Sequence, residues 1–189
     1  MLISTGYSIR IVDFLKATMN DIHCKGPIRM KWIKNVADVI AQIAYEEENA
    51  MNKDIAAKIA ATLLDCDGIE TLITASEDYT GGKDVPQLNA LCSVWRAFRN
   101  TVSILTDNSL MNQKTASTIF DAGIDAMSQL KSVGGPIAYE ILEEISCTFY
   151  CIVFKNYVTK KYFRGKNILS KCLEVLKRNG LWTFEGRGG

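Results

Sequence analysis

Apolar residues in this chain return every three or four positions, segment after segment, and nowhere alternate long enough to require a sheet. Trp32, Ile33, Val36, Ile40, Ile43 and Ala44 share one face of a helix expected from Ile28 to Glu48, with Pro27 suited to its first turn. Leu88, Leu91, Val94, Trp95, Phe98, Val102 and Leu105 follow the same spacing after Pro86. Ile119, Phe120, Ile124, Met127 and Leu130 do so between Ser109 and Lys131. Gly134-Gly135-Pro136 is a break and restart, after which a helix is expected from Ile137 to about Phe163. That helix is apolar nearly all round between Ile145 and Phe154, the pattern of a central buried helix. The spacing predicts an all-α protein of about eight helices, with Trp32, Val36, Trp95, Phe98, Phe120, Leu142, Phe149 and Ile152 in the core.

The polar, glycine-bearing stretch at 76–84 reads as a linker between two helical halves of similar size, 1–75 and 85–180. Residues 181–189, ending Glu-Gly-Arg-Gly-Gly, read as a flexible tail. A length of 189 residues with 48% hydrophobic and 23% charged residues supports a real core and excludes a disordered chain. No run reaches the 18 or so uncharged apolar residues of a membrane helix, and Met1 to Arg10 lacks the pattern of a signal peptide. Six cysteines, most among apolar neighbours, then read as buried reduced thiols in a cytoplasmic or nuclear protein.

Catalytic patterns are weak. Asp65-Cys66-Asp67-Gly68 resembles the Asp-x-Asp-Gly opening of haloacid-dehalogenase-type phosphotransferases, in which the first carboxylate is a nucleophile at the end of a parallel strand. Here an alanine-rich helix precedes it, and Asp67-Gly68 reads as a helix-ending turn. Thr80-Gly81-Gly82-Lys83 lacks the spacing of a phosphate loop. The single histidine, His23, adjoins Cys24, and neighbouring helical residues point in different directions. Cys147 and Cys151 share a face but have no second ligand pair of metal-like spacing. Glu140 and Glu144 also share a face without a histidine beside them. The expectation is a protein that is not an enzyme, with no cofactor and no metal.

Charge is unevenly spread. Residues 1–149 carry 13 Lys/Arg and 19 Asp/Glu, net −6, whereas residues 150–189 carry nine and two, net +7. In the basic part, Lys155, Lys160, Lys161, Arg164, Lys166, Lys171, Lys177 and Arg178 interleave with Tyr157, Tyr162 and Phe163. Arg29, Lys31 and Lys34, with Trp32, open the second helix, and Arg96 and Arg99 flank Phe98. Basic side chains neutralise phosphates and aromatic rings stack on unpaired bases, so these residues point to RNA or other single-stranded nucleic acid as partner. The other reading is a helical module that binds a partner protein or forms a homo-oligomer. The outline is similar to that of virus-encoded RNA-binding, nucleoprotein and silencing-suppressor proteins and of helical signalling antagonists, an analogy that carries no function by itself.

Overall fold

The computed structural model describes residues 5–21, 26–45, 50–107, 109–130, 133–154 and 170. Among them are seven helices and no strand: α1 Thr5–Asn20, α2 Gly26–Tyr45, α3 Ala50–Asp65, α4 Gly68–Tyr79, α5 Val85–Asp107, α6 Gln113–Leu130 and α7 Pro136–Phe154. The protein is all-α. The eighth expected helix, at 167–178, apart from Ser170, and the continuation of α7 to Phe163 lie outside the described residues.

Local chemistry explains where the helices start. Asp84 precedes α5 and its Oδ1 accepts the backbone N–H of Gln87 at 2.8 Å, while Pro86 occupies the first turn, where a missing N–H leaves no gap. Asn112 does the same for α6, accepting from the N–H of Thr115 at 2.9 Å. Gly134 and Gly135, with φ of 63° and 86°, turn the chain through left-handed space before Pro136 restarts it as α7.

Among the described residues α5 is the longest helix and the centre of the fold. It packs most extensively on α2 and α7, which lie on different sides of it, and also on α3 and α4. α1 joins α2, α3 and α4, and α6 packs on α4 and α7. The sequence made the helix after residue 137 the central one of the second half; across the described residues the central helix is α5. Small residues explain the difference: Ala90, Ser93, Ala97 and Thr101 are buried between Leu91, Val94, Trp95 and Phe98, so neighbours approach α5 from several sides. α7 keeps a solvent face, with Tyr139, Glu140, Glu143, Ser146 and Tyr150 exposed and Tyr150 at 56%. Its other faces are buried as expected, including Leu142, Phe149 and Ile152.

Between α5, α6 and α7 the core is aromatic. Phe120 and Phe149 stack with ring centroids 4.1 Å apart, and Trp95 lies 5.1 Å from Phe98. Gly123 on α6 makes room for this. A Cβ there would sit 2.5 Å from Phe149 Cζ and 3.1 Å from Trp95 Cη2.

The polar 76–84 stretch begins later than its composition suggests. Residues 76–79 form the last turn of α4, with Ser76 and Tyr79 buried. No helix among the described residues is long and apolar enough to cross a membrane.

Candidate functional site

Of the basic residues singled out in the sequence, the structure describes the three on α2, and Arg96 and Arg99 on α5. Arg29 Nη2 lies 2.6 Å from Asp78 Oδ2 on α4, and Lys34 Nζ lies 2.6 Å from Asp38 Oδ2 one turn along α2. Both cations are therefore already matched by a carboxylate. Lys31 is exposed and makes no ion pair among the described residues. Lys155, Lys160, Lys161, Arg164, Lys166, Lys171, Lys177 and Arg178 lie outside the described residues.

Trp32 is not a core residue. Its relative exposure is 47%, and its ring meets that of Phe14 on α1, itself 45% exposed, edge to face at 5.5 Å. The helical stripe is real, but it is wider than the surface that α5, α3 and α1 cover. Ile33, Val36, Ala37 and Ile40 face inward, which leaves Ile28, Trp32 and Val39 on the outer side. Lys31 is exposed one position before Trp32 in the chain.

A second feature joins residues far apart in sequence. An open groove of about 620 Å³ runs between α2, α5 and α7, lined by Lys34, Asp38, Ala41 and Gln42, by Asn89, Cys92, Ser93, Arg96, Arg99 and Asn100, and by Glu140. On α5, Arg96 and Arg99 are three residues apart, and on α7, Glu140 and Glu144 are four apart, so each pair projects from one face. The two faces meet. Arg96 Nη2 donates to Glu140 Oε1, and Arg96 Nε donates to Glu144 Oε1 at 3.2 Å. Arg99 Nη1 lies 3.0 Å from Glu144 Oε2, an ion pair without the alignment of a hydrogen bond. Only 7% of the Glu144 side chain is exposed, so this carboxylate is held in place by two guanidinium groups. Asn100 fastens the opposite wall by donating from Nδ2 to the Ala41 carbonyl at 2.8 Å.

The sequence showed these arginines as further basic residues and these glutamates as a separate acidic pair. Their spacings were visible, but their partnership required α5 and α7 to be docked.

Burial pushes the Cys92 thiol up to about 12, with the nearby Glu140 carboxylate adding to the rise. At neutral pH it is a protonated, weakly nucleophilic group. Burial pulls the Arg96 guanidinium down, but its Glu144 hydrogen bond and the surrounding negative charge outweigh this and raise its pKa. It stays a cation.

Asp65 ends α3, and Asp67 takes a left-handed φ of 53° at the corner with α4, where Lys16 Nζ lies 3.3 Å from its Oδ2. The two carboxylates sit at a helix–helix corner and not at the end of a strand. Cys147 is half-buried and Cys151 buried on α7. No group of three His, Cys, Asp or Glu among the described residues is placed to hold a metal ion. Compared with known protein families, curated proteins and solved structures, the chain matches none of them.

Proposed function

We propose that this is a non-enzymatic protein that binds RNA, or single-stranded nucleic acid more broadly, with little sequence preference. The observation that carries this reading is the charge segregation, net +7 over residues 150–189 against net −6 over residues 1–149. Lysine and arginine neutralise phosphates and release counterions whatever the base sequence. The basic run from Lys155 to Arg178 supplies most of the contact, with lysine outnumbering arginine, so charge is offered without a fixed hydrogen-bond fork. On α2 the contribution narrows to Lys31, because Arg29 and Lys34 are matched by Asp78 and Asp38. The exposed Trp32–Phe14 pair adds a surface on which an unpaired base can stack. The helix–helix corner at Asp65–Gly68 and the raised thiol of Cys92 support the non-enzymatic part. The same proposal places the protein in the cytoplasm or nucleus, as a homo-oligomer or a monomer.

A gel-shift titration against single-stranded and duplex RNA over a range of salt tests this reading. Affinity falls steeply with salt, and replacing Lys160, Lys161 and Arg164 by glutamine weakens binding to all sequences and reduces the log–log slope by about two to three. Absence of binding at low salt, where attraction is strongest, refutes it. A role in binding a partner protein rests on a different observation, the charge-balanced groove between α2, α5 and α7.

A further inference from the structure

The outer side of α2 carries a seam of its own. Ile28, Trp32, Asn35 and Val39 follow one another at spacings of four, three and four residues, so they line one side of the helix. All four are exposed, Ile28 at 65% and Trp32 and Val39 at 47% each. The core residues Ile33, Ala37 and Ile40 occupy the opposite side. Alternating steps of three and four are the spacing of a coiled-coil seam. Trp32 is steadied in it by the edge-to-face contact with Phe14.

The charges beside the seam say what fits it. Lys31 and Asp38 lie seven residues, or two turns, apart along the same edge. Each immediately precedes a seam residue, Trp32 or Val39, which is the flanking position where charge sets partner and orientation in a coiled coil. Their signs are opposite. A second copy of α2 laid antiparallel over the seam therefore brings Lys31 of each chain to Asp38 of the other. The same register sets Ile28 against Val39, and Trp32 against Asn35, whose amide oxygen is an acceptor for the indole N–H. A parallel copy matches nothing in this way, because it turns Lys31 toward Val36, which is buried. Lys31 makes no ion pair among the described residues. Asp38 meets Lys34 but is half exposed, and its carboxylate keeps acceptor sites for a second cation. The seam is thus complementary to its own reverse, which is the condition for a two-fold contact.

We propose that the protein forms a two-fold symmetric dimer through α2. Ile28, Trp32, Asn35 and Val39 make the contact, and two Lys31–Asp38 ion pairs between the chains fix its antiparallel register. The seam spans about three helical turns, so the dimer belongs to the small, transient class and dissociates in the micromolar range. The basic run at 155–178 is not part of the contact. A second copy and an unpaired base compete for Trp32, and the dimer is tested without nucleic acid, so either reading can fail alone.

Sedimentation equilibrium of the full chain, up to roughly 500 µM, reads the association. The expected result is a monomer–dimer equilibrium that Trp32→Ala weakens about tenfold or more. Lys31→Glu sets two carboxylates together at each flank, and Asp38→Lys sets two ammonium groups together, so each variant alone also associates about tenfold more weakly. An equimolar mixture of the two variants restores both ion pairs and recovers the wild-type association as a heterodimer. A variant that had merely lost its fold would not be rescued by mixing, and circular dichroism of each establishes that it remains helical. The proposal is overturned if the wild-type chain sediments as a monomer throughout, or if Trp32→Ala associates as wild type does. It is equally overturned if the mixture associates no better than its two components, since the charges then do not face each other across copies.

Discussion

Asn100 on α5 donates a hydrogen bond from Nδ2 to the main-chain carbonyl of Ala41 on α2, at 2.8 Å, across 59 residues of sequence. Its own Oδ1 accepts from Arg99 Nε at 3.1 Å, so the buried amide is used on both sides. It ties the most extensive helix pair of the fold together at the edge of the groove. Asn100→Ala leaves donor and acceptor groups unmatched in a buried place and is expected to cost about 1–3 kcal/mol. The midpoint of urea unfolding checks this, with an unchanged slope showing that the unfolding reaction is the same. Asn100→Asp is expected to be at least as damaging, because it removes the Nδ2 donor and buries a charge beside a carbonyl.

The two glutamates of the arginine cluster are expected to differ. Glu144→Gln keeps the shape but removes the single buried charge that two guanidinium groups share, at a cost of about 1–3 kcal/mol. The value stays below that of a fully buried pair because Arg96 and Arg99 can each turn partly toward water. Glu140→Gln, on the exposed side of the cluster, is expected to cost less than about 1 kcal/mol. Denaturant unfolding of the two single variants tests the ranking, and equal losses would contradict it.

Gly123→Ala is expected to destabilise by about 1–3 kcal/mol through overpacking, since the new methyl enters the space of the Phe149 ring. For a chain of this length that lowers the melting temperature by roughly 2–4 °C per kcal/mol. Phe149→Leu in the same chain vacates the ring position. The double variant is expected to lose less than the sum of the two single changes, a coupling that thermal melts read directly.

Cys92 makes stability fall at high pH in a way its removal abolishes. Its folded pKa of about 12 exceeds the ordinary 9.0, so the folded state holds the proton more tightly. The stabilisation is fully present below about pH 9 and is lost as pH rises toward 12. Cys92→Ala is expected to be less stable than wild type at neutral pH, because a buried side chain is shortened. That gap narrows and then reverses between about pH 9 and 12. Parallel denaturation curves across this range supply the check, and a constant difference between the two proteins would contradict it.

The helices of this protein were legible in the sequence because each is encoded locally. Periodic apolar residues define the inner faces of α2, α5 and α6, Pro86 opens α5, and Gly134-Gly135-Pro136 separates α6 from α7. The burial of Trp95, Phe98, Phe120 and Phe149 followed from the same patterns. What tertiary structure decided was which of several apolar faces found a partner. Trp32 lies in the apolar stripe of α2 but on the side where its ring meets the equally exposed Phe14, so it stays half in water. α5 became the central helix because its small residues admit neighbours from several sides, a property that counting hydrophobic residues undervalues. The groove was hidden for a related reason. The i, i+3 arginines and the i, i+4 glutamates are each readable on their own helix, but whether they meet is set by docking α5 on α7, with at least 40 residues between them. Helical periodicity is a property of neighbours in the chain, whereas that ion-pair cluster is a property of helix packing, which composition and spacing leave open.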